Sequence, residues 1–234
     1  MKKKIVFIMN PISGTSSKAA VPSLIDSTLD KEQFEYEIKM TERPGHASEL
    51  AAEARDNHAD IVVAVGGDGT VNEVARSLVH SDSALGILPC GSGNGLARHL
   101  LLPMNLKKSI EIINACEIHD LDYGVINEYP FFCTCGMGFD AFVSMKFAES
   151  GKRGPISYAE NILREGLKYE PETYTLEDET GTKQYKAFLI SCANASQYGN
   201  NAYIAPQASM SDGLMDVVIM EPFDVIEASQ VSFD

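Results

Sequence analysis

Residues 61–65, Ile-Val-Val-Ala-Val, form an unbroken aliphatic run. A half-buried strand alternates apolar and polar side chains. A short run that is apolar on both faces belongs to a strand covered on both sides, as in a parallel sheet flanked by helices. The run stops at Gly66-Gly67-Asp68-Gly69, and a helical pattern follows over residues 70–79. Strand, glycine turn and helix make one α/β unit, and the first half of the chain repeats it. Strands are predicted at 4–9, 34–40, 61–65 and 85–88, and helices at 18–29, 46–57, 70–79 and 94–101. Four such units predict a parallel sheet with helices on both faces.

Beyond about residue 115 the texture changes. Alternating runs at 120–126, 131–135, 174–177, 185–193 and 215–220 are separated by turns such as Glu179-Thr180-Gly181, with one helical stretch at 157–167. The expected fold is an α/β N-terminal domain, 1–115, followed by a mostly antiparallel β-sandwich domain, 116–234, with a cleft between. The 44% hydrophobic content is ample for both cores.

Charge narrows the function. Nineteen Lys and Arg against 33 Asp and Glu give a net charge of −14. That argues against a nucleic-acid partner, because phosphate-backbone binding needs clustered cations. No apolar run approaches the ~20 residues of a membrane span. The lysines at 2–4 followed by residues 5–9 read as the approach to a first buried strand rather than a leader. Cys90, Cys116, Cys133, Cys135 and Cys192 contain no C-x-x-C pair and read as core thiols of a reducing cytoplasm. The five histidines are scattered without ligand spacing.

Three loops at strand ends could hold phosphate. Gly66-Gly67-Asp68-Gly69-Thr70, followed by Asn72 and Glu73, opens a helix at the C-terminal end of a buried strand, where open α/β sheets bind ligands. Glycines let backbone N–H groups approach a phosphate, and the helix N-terminus favours anions. Asp68 is out of place beside phosphates unless it holds Mg2+, accepts a proton or caps a helix. Gly91-Ser92-Gly93-Asn94 forms the second loop and Asn10-Pro11-Ile12-Ser13-Gly14 the third. There is no G-x-x-x-x-G-K-[ST] element, no protein-kinase H-R-D or D-F-G set and no G-x-S-x-G elbow. Asp212-Gly213, ahead of an alternating run, reads locally as a hairpin turn.

Taken in order, Asn10-Pro11-x-Ser13-Gly14, Thr41 with Gly45-His46-Ala47, Gly66-Gly67-Asp68-Gly69-Thr70, the Gly91–Arg98 segment, Ala205-Pro206-x-Ala208 and Ser211-Asp212-Gly213-Leu214-Met215-Asp216 resemble the diacylglycerol kinase catalytic-domain family, which includes sphingosine and ceramide kinases. Gly66–Thr70 alone is shared with NAD kinases and phosphofructokinases. The resemblance implies an ATP-dependent lipid kinase with a nucleotide domain first and a lipid-binding β domain second. ATP would contact Asn10, Pro11, Ser13, Gly14, Thr41, Gly66, Gly67, Gly69, Thr70, Asn72, Glu73, Gly91, Ser92, Gly93 and Asn94. Mg2+ would be held by the Asp212 side chain and the carbonyls of Ser209 and Leu214.

Asp68 is expected nearest the transferring phosphoryl group, and Asp140 to orient the acceptor. The expected partners are a lipid acceptor, a transient peripheral membrane contact and a second copy in a homodimer. Lys146, Lys152, Arg153, Arg164 and Lys168 are the basic residues suited to the membrane. The setting implied is cytoplasmic, at the membrane surface. Bacterial members carry a further Asp-Gly-Glu motif whose Asp is taken as proton acceptor. The Asp-Gly pairs here are Asp68-Gly69 and Asp212-Gly213. The β domain is therefore expected to be incomplete, and the 234-residue chain to bind ATP with little or no transfer to lipid. An NAD-kinase-like phosphotransferase and an inactive nucleotide- or lipid-binding regulator are the alternatives.

Overall fold

A computed structural model describes residues 2–14, 18–139, 141–142, 145 and 169–222. The chain divides into two compact units. One is Met1–Phe132 together with Gly199–Asn201, and the other is Cys133–Tyr198 together with Ala202–Asp234.

The first unit has the α/β order read from the sequence: β1 (Lys3–Met9), α1 (Val21–Thr28), β2 (Phe34–Met40), α2 (His46–Asp56), β3 (Ile61–Gly66), α3 (Asp68–Leu78), β4 (Ala84–Pro89), α4 (Gly95–His99) and α5 (Leu106–Ala115). The strands form one parallel sheet in the order β2-β1-β3-β4. The pleat sends alternate residues to opposite faces. Ile5, Phe7, Met9, Ile61, Val63 and Val65 join Val21, Ile25, Ile110 and Ile113 in a single core. That places α1 and α5 on one face. Val6, Ile8, Val62 and Ala64, also buried, point to the other face, where α2 and α3 pack on each other. Ala47, Ala51 and Ala54 line the buried stripe of α2, and their small side chains permit that close packing.

α5 was not anticipated. Its signals are Asn105, whose side chain caps the helix by accepting the Lys108 N–H, and apolar residues at 106, 110 and 113. α1 begins later than residue 18, with Pro22 in its first turn, where a missing N–H costs no hydrogen bond. A short hairpin, β5 (Gly124–Ile126) and β6 (Tyr129–Phe131), completes the unit. Arg76 of α3 lies over the Tyr129 ring at 5.7 Å and donates Nε–H to the Pro130 carbonyl at 3.0 Å.

The second unit is antiparallel. β7 (Thr134–Gly138), β10 (Leu189–Ala193) and β13 (Asp216–Met220) form a sheet in the order β13-β10-β7. β8 (Glu172–Asp178) pairs with β9 (Gly181–Ala187), and β11 (Gln197–Gly199) with β12 (Ala202–Tyr203). The run expected at 185–193 is thus two strands in two sheets. The change falls at buried Phe188, whose N–H donates to Met220 and whose carbonyl accepts from Phe139. Phe188 stacks with Phe139 at 4.5 Å between centroids and meets Tyr169 edge-on. The run expected at 131–135 likewise breaks at Phe132–Cys133. The helix expected at 157–167 lies outside the described residues. Among the described residues no helix is long and apolar enough to cross a membrane.

Candidate functional site

β1 has β2 on one side and β3 on the other. The connections leaving the C-terminal ends of β1 and β3 therefore diverge, which opens a crevice at the switch point of the sheet. The loops after β1, β3 and β4 meet there. Asn10 N–H donates to Val65 O at 3.1 Å, Thr41 N–H to Met9 O at 2.9 Å and Cys90 N–H to Gly66 O at 2.8 Å. Asn10 Nδ2 also donates to Thr70 Oγ1 at 3.3 Å, and its Oδ1 accepts the Ile12 N–H at 3.1 Å.

Main chain touches main chain at this point. A Cβ on Gly91 would stand 2.4 Å from the Gly67 Cα, and one on Gly14, at φ +70°, would stand 2.2 Å from the Cys90 carbonyl oxygen. Only glycine allows such an approach.

Asp68 is exposed in the first turn of α3 and makes no side-chain cap on that helix. Its two carboxylate oxygens instead accept backbone N–H groups from the segment after β4, Asn94 at 2.8 Å and Gly95 at 2.7 Å. Asn94, in the left-handed region, folds its side chain back on Gly91: Oδ1 accepts that N–H at 2.8 Å and Nδ2 donates to that carbonyl at 3.0 Å. Arg98 Nε donates to the Gly93 carbonyl at 3.1 Å. The Ser92 and Gly93 amides donate to no acceptor among the described residues.

Glu73 faces another way. Its carboxylate accepts Gly45 N–H at 3.1 Å and Ala47 N–H at 3.2 Å, capping the N-terminus of α2. It therefore holds the segment that follows buried Thr41. Pro11 is exposed, Ser13 and Asn72 half-buried. Burial pushes the Cys90 thiol up in pKa, opposed by the nearby charge of Lys18, and pushes the His99 imidazole down.

The residues expected around ATP in the three loops, with Asp68, are thus brought together. Three residues that the sequence reading passed over belong to the same unit: Gly199, Asn200 and Asn201, with φ of +117°, +50° and +63°. Asn200 N–H donates to the Gly93 carbonyl at 3.2 Å, and Arg98 reaches Asn201 Oδ1 at 3.4 Å. Their signal was composition, since Gly and Asn are the residues that tolerate left-handed backbone.

In the second unit Asp212 lies on an exposed turn. Its Oδ1 accepts the Leu214 N–H at 3.0 Å, and Gly213 adopts φ +73°. This turn is not a hairpin, because the strand it introduces, β13, pairs with β10. No group of three or more His, Cys, Asp or Glu forms among the described residues. A metal here would therefore depend on Asp212 and the neighbouring carbonyls of Ser209 and Leu214, an all-oxygen set that suits Mg2+. Asp140 and the basic residues 146, 152, 153, 164 and 168 lie outside the described residues.

Comparison with known proteins agrees with this geometry. The family profile described as the diacylglycerol kinase catalytic domain matches residues 4–126, and that of the YegS C-terminal NAD kinase beta sandwich-like domain matches residues 133–230. Lipid kinase YegS of Escherichia coli is 28% identical over 86% of this chain and 69% of its own length. Diacylglycerol kinase of Staphylococcus saprophyticus is 27% identical over 99% of this chain and 77% of its own. The crystal structure of a diacylglycerol kinase from Bacillus anthracis superposes with a TM-score of 0.72, covering 94% of this chain and 74% of that one at 22% identity, and so shares the fold.

Proposed function

Because the chain belongs to the diacylglycerol kinase catalytic-domain family, we propose that it is an ATP- and Mg2+-dependent lipid kinase. The acceptor would be the hydroxyl of diacylglycerol or of a related lipid, a sphingoid base or a ceramide. The observation that carries this reading is Asp68: a carboxylate at the switch point, fixed by two amides of one glycine loop while it stands on another.

Phosphoryl transfer needs little covalent chemistry from the protein, and catalysis rests on positioning and charge stabilisation. The loops at Asn10–Gly14, Gly66–Thr70 and Gly91–Asn94 would cradle the nucleotide phosphates with backbone N–H groups, including those of Ser92 and Gly93. Thr41, held by the Met9 carbonyl, and Glu73, which fixes the segment after it, would shape the flank of the nucleotide site. Each Asp68 oxygen keeps lone-pair capacity beyond its one amide bond. Asp68 would accept the proton of the acceptor hydroxyl, and Asp140 would orient that hydroxyl. Ser209, Asp212 and Leu214 would hold Mg2+, which supplies charge neutralisation when bound. The lipid acceptor places the reaction at a membrane surface.

The test is thin-layer separation of products after the gene product carrying this sequence is given labelled ATP with diacylglycerol, sphingosine or NAD. Label in a lipid is the expected outcome. Label in NAD alone would replace the lipid reading with a soluble-nucleotide one, and ATP binding without label in any acceptor would leave a regulator.

A further inference from the structure

In the second unit, Cys135 of β7 is the direct register partner of Cys192 of β10, in an antiparallel ladder. Partners in such a ladder project from the same face of the sheet. The ladder also fixes the kind of pair. Asn194 N–H donates to Cys133 O at 2.9 Å and Phe139 N–H to Phe188 O at 3.0 Å. Hydrogen-bonded and non-hydrogen-bonded pairs alternate along a ladder, and Cys192 stands an even number of residues from both of these. Cys135 and Cys192 therefore form a hydrogen-bonded pair, whose Cα atoms lie about 5.5 Å apart. That separation is inside the range of about 4.4–6.8 Å that a disulfide spans.

Both residues are half-buried reduced thiols. Their face of the sheet also carries Met137, two residues along β7, and Val217, the register partner of Cys192 on β13. Met137 is 40% exposed and Val217 51%, so a small solute reaches the sheet on this side. In the order β13-β10-β7, Cys135 stands on an outer strand and Cys192 on the central one. Burial pushes the Cys192 thiol up in pKa, which disfavours the reactive thiolate and makes Cys192 the second of the two to react. Cys133 lies on the same face, but its Sγ donates to the Gln197 carbonyl at 3.1 Å, and Asn194 rather than a cysteine stands opposite it.

We infer that Cys135 and Cys192 are a peroxide-responsive pair that closes to a reversible cross-strand disulfide. The Cys135 thiolate attacks one oxygen of the peroxide and the O–O bond breaks. Cys135 becomes a sulfenic acid, and the other oxygen takes a proton and leaves as water. The Cys192 sulfur then attacks the sulfenic sulfur. The S–S bond forms, the S–O bond breaks, and the hydroxyl leaves as water with the Cys192 proton. The two cysteines lose two electrons and the peroxide gains them. A disulfide draws its Cβ atoms to about 3.5–4.5 Å, closer than the about 5.5 Å of a cross-strand pair. The ladder must twist to close the bond, which makes it easily reduced by a thiol such as glutathione. Closed, the bond staples outer strand β7 to central strand β10; reduced, it lets β7 open locally. This chemistry is independent of any kinase activity.

The test is to treat the full chain with hydrogen peroxide, quench with catalase and map its peptides without reductant. A Cys135–Cys192 linkage is expected in most molecules, and reduced glutathione is expected to open it. The oxidised wild type is expected to melt a few degrees above the reduced one, because the bond closes the long loop over residues 136–191, and to exchange the amides of β7 more slowly. Cys135→Ser and Cys192→Ser are expected to lose both changes, and Cys133→Ser to keep them. Met137 is present in all of these proteins, so its own oxidation cannot account for the difference. Thiols at 135 and 192 that both still alkylate after peroxide overturn the inference. So does a linkage through Cys133 or between two chains, a bond that glutathione leaves intact, or an oxidised wild type that melts and exchanges like the reduced one. The peptide map needs only the wild type, so it decides even where a variant folds poorly.

Discussion

Asp68 joins two loops 26 residues apart in the chain, and that double attachment sets what a substitution there does. Asn offers a single acceptor oxygen where the carboxylate offers two. Asp68→Asn therefore leaves Asn94 or Gly95 N–H without its partner. The expected loss is about 1 kcal/mol of stability by denaturant unfolding, with a fall in phosphoryl transfer of about 10²–10⁴. Unchanged turnover would leave Asp68 a loop strap alone. Asp212 calls for the same substitution with the opposite logic. Its bond to the Leu214 amide uses one oxygen that Asn can supply, so Asp212→Asn keeps the turn and weakens the metal set. Wild type is expected to melt higher with Mg2+ than with chelator, and Asp212→Asn to melt equally in both. A Mg2+ response retained by Asp212→Asn would remove the carboxylate from the metal site.

Elements show where local reading succeeds and where it stops. β1 and β3 were legible because a strand covered on both faces must be apolar throughout. The split at Phe188 was not, because Ala187-Phe188-Leu189-Ile190 is a continuous apolar run and only the change of partner ladder marks the break. The Asp68 attachment was equally hidden: it depends on β3 and β4 being neighbours in register, a fact of topology that no local pattern carries. The glycine turns were legible as turns, but the reason for each glycine was not. Two substitutions separate the cases. Gly91→Ala drives a Cβ into the backbone of Gly67, whereas a Cβ on Gly69 meets nothing within 4 Å. Gly91→Ala is expected to cost about 1–3 kcal/mol, while Gly69→Ala, in the first turn of α3, is neutral or stabilising. Equal effects on the melting temperature would contradict the contact.

α4 carries the pH dependence. Burial lowers the His99 pKa below its ordinary value of 6.5. As pH falls through about 6.5 the unfolded chain takes up a proton before the folded one does, so stability declines from there down to the folded value. His99→Gln is expected to flatten that decline in melting experiments between about pH 7 and pH 5.

At the scale of the whole molecule, two units hold the two halves of the proposed chemistry, and hydrogen exchange can address them separately. ADP is expected to slow exchange at residues 10–14, 66–73 and 91–95 in the first unit, and Mg2+ alone to slow it at 209–214 in the second. ADP protection confined to the second unit would refute the nucleotide assignment. The first unit is also not continuous in sequence. It closes over Gly93 with residues 199–201, after an excursion of 66 residues, Cys133–Tyr198. A ribosome delivers the chain in order, N-terminus first. For the time it takes to make those 66 residues, at about 5–20 per second, the nascent sheet is finished but the Gly93 loop lacks its last contact. The loops at the switch point are thus among the earliest parts synthesised and, within the first unit, the last to be completed.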